Sequence, residues 1–454
     1  MPVHPIEYRY GSEEMRKIFD ISTRYILMAK VEAALAKAEA KVGLIPEEAA
    51  KCIAEVVENN KISPERVLEL EKVTQHETMA LVLAIAEQAG PYGEYVHFGA
   101  TSNDILDTAL ALQLKQAISL VERGLVSLTR AIIEKGRKTL DLVCLGRTHG
   151  MAALPMPFGF KFAVWAWIMK NNIERLNSVK SRAVRGKMSG AIGTMASFYG
   201  KGREIQSLVM QELGLEEAEI STQIVPRDSL AELVVTLALI SSTLELIANE
   251  IRNLQRTEIS EVEEPFRRRK QVGSSTMPHK RNPIRSEKVC GLARIMRGLS
   301  IAALENIVLE HERDLTNSSV ERIMIPEAFL IIDEQLRSLE YVISNLVIKR
   351  EAMRRNLENA GDLIMAERVM LELARRKMGR QRAHELIRRL SMRAIEENRS
   401  LFDVLLEEKE VLDKISKDEL ESLLNPLTYL GDSREIAEEV FRRTEEFLDS
   451  LQIA

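Results

Sequence analysis

From residue 102 to about residue 139 the chain keeps a helical apolar rhythm without a proline, and Ser102 or Asn103 can cap its start. A helix of roughly 40 residues exposes more apolar stripe than one chain readily covers, so it calls for a bundle and for symmetric partners. The rhythm recurs over residues 12–41, 64–88, from Trp165 and Trp167 to about 185, 226–261 and 286–311. A further helix starts near Ser319 and passes Pro326, where a kink is expected. Glycine and proline mark the breaks, at 92–102, 144–157, 186–202 and 265–283. Aromatic residues make up only 5% of the chain, with 22 glycines and 13 prolines in 454 residues, which favours helical packing over sheet. The expected fold is all-α with three helical domains. These are an N-terminal domain (1–100), a central long-helix bundle with the 265–283 loop (101–347), and a C-terminal domain of shorter, highly charged helices (348–454).

The net charge of −5 gives no global attraction to nucleic acid or an anionic membrane. Arg267-Arg268-Arg269-Lys270 is the one dense basic run noted, and it reads equally as a polyanion-steering patch or a solvated face. Cys52, Cys144 and Cys290 are scattered, with no metal-ligand spacing, which fits a reducing compartment. The first ten residues lack the apolar core of a secretory signal, and the apolar run 233–244 is shorter than a membrane span. A soluble cytoplasmic protein is expected. No HExxH, acidic calcium loop, Walker A string or dinucleotide fingerprint is present, so no metal or cofactor is expected.

The densest chemistry lies in Gly273-Ser274-Ser275-Thr276-Met277-Pro278-His279-Lys280-Arg281-Asn282-Pro283. Gly273 permits unusual backbone angles and each proline restricts the residue before it, so this segment cannot be helical throughout. A Gly-Ser-Ser triplet alone is ordinary turn chemistry. The whole string reads instead as a loop that closes over an anionic substrate and delivers a reactive hydroxyl. A serine is a weak nucleophile and a poor base unless its oxyanion is stabilised. Lys280 and Arg281 lie a few residues on, and the helix from near Ser286 directs its N-terminal dipole back toward the loop.

This string closely resembles the signature of the fumarase/aspartase superfamily, whose members eliminate fumarate from succinyl-containing substrates. Gly146-Arg147-Thr148-His149-Gly150 and Gly99-Ala100-Thr101-Ser102-Asn103-Asp104 resemble two further segments of that superfamily. Arg9-Tyr10, Gln75-His76-Glu77, Ser221-Thr222-Gln223, His311-Glu312-Arg313-Asp314 and Ser318-Ser319-Val320-Glu321-Arg322 look like motifs of its adenylosuccinate lyase family. The resemblance implies a carbon–nitrogen lyase acting by anti elimination on adenylosuccinate and on the succinylated carboxamide ribotide (SAICAR). It implies Ser274 as the base and His149 as the acid, with Lys280 and Asn282 stabilising the carbanion and Ser275 adding a hydrogen bond. Arg9, Arg313 and Arg322 would grip phosphate and carboxylate oxygens, and Tyr10, Thr101, Ser102, Ser318 and Ser319 would donate hydroxyls. Gln75, His76, Glu77 and Gln223 complete the implied binding set. Met151 stands where family members often carry glutamine, and Glu77 where aspartate is common. The motifs lie far apart along rigid helices, and the family builds each site from three chains of a homotetramer. The competing readings are an argininosuccinate lyase or carboxymuconate cycloisomerase of the same superfamily, a catalytically silent helical scaffold, and a helical nucleic-acid binder.

Overall fold

The structure, a computed structural model, describes residues 4–266 and 275–451. Its helices in chain order are α1 (Glu13–Phe19), α2 (Ile21–Lys41), α3 (Glu47–Glu58), α4 (Pro64–Thr74), α5 (Glu77–Ala89) and α6 (Ser102–Arg137). A hairpin of β1 (Val143–Thr148) and β2 (Met151–Pro157) follows. Then come α7 (Phe158–Ala183), α8 (Gly202–Leu213), α9 (Asp228–Leu254), α10 (Ile284–Glu305) and α11 (Thr316–Ser344). The C-terminal part holds α12 (Arg350–Asn359), α13 (Ala366–Leu373), α14 (Arg380–Glu396), α15 (Leu401–Leu406), α16 (Lys409–Leu412), α17 (Lys417–Leu423) and α18 (Ser433–Ser450). The fold is all-α; its strands are this hairpin and two-residue ladders.

Three buried apolar clusters organise these elements. The largest joins α6, α7, α9, α10 and α11, with α1 and α18 packed on the outside. A second lies among α2, α3, α5, α8 and the first turns of α6. The third is formed by α13, α14, α15 and α17 with the segments between them. The five long helices run alternately up and down. The turn from α6 to α7 is tight because Gly159 N meets Thr139 O at 3.1 Å, and a Cβ on Gly159 would sit 2.3 Å from Gly136 O. Arg227, just before α9, pairs with Asp107 in the second turn of α6, so α9 starts where α6 starts. Asn306, just after α10, reaches Asn317 O in the first turn of α11. One end of the bundle therefore carries the N-termini of α6, α9 and α11. The other carries the hairpin, the end of α9 and the start of α10.

Several elements differ from the sequence expectation. The helix expected over 12–41 breaks at Asp20, which turns extended and accepts the Ser22 N–H at 2.8 Å as a cap. The helix expected over 64–88 breaks at Gln75, left-handed at φ +53°, and at His76, whose imidazole caps α5. The 144–157 segment, expected as a loop, is the hairpin, turned by His149 (φ +54°) and Gly150 (φ +78°). Two consecutive positive φ values make the tight two-residue turn that matches strand twist. The helix through Pro326 starts at Thr316, three residues before the expected Ser319, and runs to Ser344.

α9 is long and apolar enough to cross a membrane, and 61% of its most apolar window is buried inside the bundle. Its outer face still exposes Leu239 and Leu246, and α10 exposes Ile295, Ile301 and Leu304. Gly291 and Gly298 lie on the exposed side of α10, and a Cβ on either would meet nothing within 4 Å. Each costs the helix about 0.5–1 kcal/mol relative to alanine, and packing within the chain gives no reason for either.

Candidate active site

At the end where α5, α6 and α11 begin, a cleft of about 470 Å³ opens. It is lined by Gln75, His76, Glu77, Ser102, Arg313, Ser318, Ser319 and Arg322, eight of the residues singled out from sequence. Three helix N-termini converge there, each presenting unpaired backbone N–H groups and the positive end of its dipole. Such a place is built for anions.

The break between α4 and α5 delivers the first group. His76 Nδ1 accepts the Met79 N–H at 3.2 Å, so in the neutral ring the proton sits on Nε2. That nitrogen lies 3.4 Å from Ser102 Oγ, at the start of α6. The α6 start is itself locked. Asp104, fully buried, accepts N–H bonds from Thr101 (2.8 Å), Ser189 (2.8 Å) and Gly190 (3.0 Å) and pairs with the buried Lys187 at 2.5 Å. Thr101 therefore serves the helix start through its backbone, and it holds Ser102 in register with the cleft.

Arg313 and Arg322 supply the charge. Arg313 is half-buried and has no carboxylate partner among the described residues. Its Nη1 donates to Gln223 Oε1 at 2.9 Å, and its Nε, fully buried, has no hydrogen-bond partner. Burial pushes its guanidinium below the usual arginine value, with the nearby Asp107 charge pulling the other way. A desolvated cation without a counter-ion is a demand for an anionic ligand. Gln223 spends its amide on Arg313 and, through Nε2, on Ala191 O at 3.0 Å. Beneath the cleft, Arg227 is clamped between Asp107 and Glu321, both at 2.8 Å.

The remaining candidates are elsewhere. Arg9 and Tyr10 run along α11, where Gly11 N and Ser12 N donate to Glu334 and Asp333. That stretch starts near Glu327, paired with His4 and five residues beyond Arg322. His149 sits exposed at the hairpin tip, at the opposite end of α6 from Ser102. Arg147 below it pairs with Glu261 at 2.6 Å, which ties the hairpin to the end of α9. Ser275, Lys280 and Asn282 precede α10 at this same end, exposed except for the half-buried Asn282. Both flanks of their loop are anchored, because Arg281 pairs with Glu263 at 2.6 Å and Glu264 accepts the Ser286 N–H at 2.7 Å. Ser274 and the basic run 267–270 lie outside the described residues. At 1.5 Å per residue, the 36 residues of α6 separate the two ends by about 50 Å.

Sequence reasoning missed Arg24, Lys187 and Arg227 among the groups that hold the cleft in place, and it quoted Asp104 and Glu321 within motifs without giving them a role. The signal for Asp104 was present, since Thr101 with an acid three residues on is a capping pattern. The others act through partners distant in sequence and leave no local pattern.

Comparison with known proteins gives this all-α bundle, with its anion cleft of arginines and helix N-termini, its class, that of lyases in the fumarase/aspartase superfamily. The model of the Lyase family matches residues 7–298, and that of the adenylosuccinate lyase C-terminus matches residues 362–440. Adenylosuccinate lyase of Pyrococcus horikoshii is 52% identical, covering 98% of this chain and 99% of its own. That of Methanocaldococcus jannaschii is 48% identical, covering 97% and 96%. The crystal structure of a fumarate lyase from Mesorhizobium sp. BNC1 superposes with a TM-score of 0.89 at 32% identity, covering 97% of this chain and all of that one. A 3-carboxy-cis,cis-muconate lactonizing enzyme from Pseudomonas putida gives 0.88 at 31%, covering 97% and 99%. The chain belongs to the adenylosuccinate lyase family.

Proposed function

We propose that this protein eliminates fumarate from adenylosuccinate, leaving AMP, and from SAICAR, leaving its free carboxamide ribotide. The observation that carries this reading is the cleft where Arg313, a half-buried cation without a carboxylate partner, meets three helix N-termini. Adenylosuccinate offers a phosphate and two carboxylates. Argininosuccinate and carboxymuconate carry no phosphate, and the two arginines with Ser318 and Ser319 on α11 fit a phosphorylated ligand better.

In the reaction, Ser274 takes the proton from the succinyl carbon and His149 gives one to the departing nitrogen on the opposite face. Negative charge spreads into the neighbouring carboxylate, where Lys280 and Asn282 stabilise it and Ser275 donates a hydrogen bond. No cofactor enters the scheme. Because the cleft lies at the opposite end of one chain from His149, Lys280 and Asn282, each site is assembled from several subunits of a cytoplasmic homotetramer. The apolar outer faces of α9 and α10 and the unexplained Gly291 and Gly298 support such assembly.

Absorbance assays with adenylosuccinate, argininosuccinate and carboxymuconate test the reading. Turnover of adenylosuccinate alone is expected, and turnover of either other substrate in its place would sink it. Ser274→Ala is expected to keep binding and lose turnover; near-normal turnover would remove Ser274 from the scheme.

A further inference from the structure

Glu77 is an acid in a cleft built for anions. Its carboxylate is 8% exposed, opens α5 and lies next to His76. A carboxylate offers only acceptors and repels phosphate, so it is the wrong group to touch the ligand. Its oxygens are already engaged. Arg24 Nε donates to Oε1 at 2.8 Å and Arg24 Nη2 to Oε2 at 3.1 Å, while Arg322 Nη2 donates to Oε2 at 2.8 Å.

The geometry points to Glu77 as a positioning residue: it holds the exposed Arg322 guanidinium in the orientation that meets the substrate phosphate. This rests on the proposed function and deepens it. Arg322 is 51% exposed and rises from the second turn of α11. A free arginine loses about 2 kcal/mol of rotamer entropy when it is fixed. A buried partner that takes one nitrogen removes part of that cost before the ligand arrives. Among the described residues, Nε and Nη1 of Arg322 carry no hydrogen bond, so both remain as donors to phosphate oxygens. Arg24 plays a different part. It neutralises the remaining charge on Glu77, so the acid does not repel the ligand, and it joins α2 to the start of α5. The glutamate length matters here. An aspartate, about 1.5 Å shorter, does not reach both guanidiniums from the same backbone position.

The experiment compares the full-length protein with Glu77→Gln and Glu77→Asp. AMP affinity is read by calorimetry, fumarate as a competitive inhibitor, and kcat and KM with adenylosuccinate. Loss of the charge in Glu77→Gln is expected to weaken AMP binding about ten-fold, the cost of one charge-assisted hydrogen bond. Inhibition by fumarate, which has no phosphate, stays within two-fold, and KM rises while kcat changes little. Glu77→Asp keeps the charge and recovers part of the AMP affinity. It also keeps the proposal testable should Glu77→Gln fail to fold. Equal losses for AMP and fumarate, unchanged AMP affinity in the variants, or no AMP binding by the unmodified protein would overturn the proposal. An unmodified protein that binds AMP but does not turn over adenylosuccinate would refute the proposed function instead, while the AMP comparison still decides the role of Glu77.

Discussion

Mixing two inactive variants is the sharpest test of how the site is put together. His149→Ala removes the proposed acid at the hairpin tip, and Arg322→Ala removes a cation from the cleft. In one chain these positions lie at opposite ends of α6, about 50 Å apart, and no nucleotide-sized ligand spans that. Under the proposed scheme a working site takes His149 from one subunit and Arg322 from another. When the two variants are dissociated, mixed in equal amounts and reassembled at random, half of the positions supplying each end are intact. Half of one half gives about a quarter of the sites with both groups present. The mixture is therefore expected to regain about a quarter of the activity of unmodified protein taken through the same cycle. Each variant treated alone stays inactive. Recovery no greater than the sum of the separate variants would mean that both groups serve a site within one chain. The assignment of His149 or of the cleft would then have to be abandoned.

Two other outcomes follow from buried charge and from the α10 face. Glu39 is fully buried with neither oxygen hydrogen-bonded, and burial, helped by the charge of Glu32, pushes its carboxyl up to about 9. Because the folded value exceeds the unfolded one of 4.5, its contribution is complete below pH 4.5 and is lost as pH rises toward 9. At pH 7 the loss is about 3 kcal/mol, so Glu39→Gln is expected to raise the thermal midpoint at pH 7 to 8.5 and little at pH 4.5. A variant no more stable than the parent at pH 8 would contradict this. Gly298→Leu on the exposed face of α10 is expected to lower the assembly mass in sedimentation and to abolish turnover. If that face is free, the mass stays unchanged and the helix gains about 0.5–1 kcal/mol from losing a glycine.

The fold class was readable because long helices announce themselves by period alone; α6 falls within a few residues of its expected limits and α11 starts three residues before its expected start. The breaks at Asp20 and at Gln75-His76 were not readable. Each depends on one side chain turning back on the backbone, and a histidine cap is not a pattern that propensity reveals. The hairpin hid for a related reason, since its glycine- and proline-rich segment looks like a loop until Val143 and Pro157 are seen in register. For the cleft, recognised motifs named eight lining residues, but which of them bond to one another came only from geometry. Gln223 and Glu77 both read as ligand contacts, and both are found holding an arginine.

The division of the chain into two chemically distinct ends follows from its topology. In an up-and-down bundle, N-termini gather at whichever end each helix starts from, so positive dipole ends and their arginines collect where α6, α9 and α11 begin. Residues 275–283 precede α10 at the other pole. No adjustment of loops brings the two poles together in one chain. In the proposed assembly a symmetric partner packed antiparallel along the exposed α9 and α10 faces would do so, because it would set one copy's pole beside its neighbour's opposite pole. The exposed apolar stripe and the split site are then one fact seen twice. On that proposed assembly, Gly291 and Gly298, which pack against nothing in the isolated chain, gain a purpose as places where a second helix could come close.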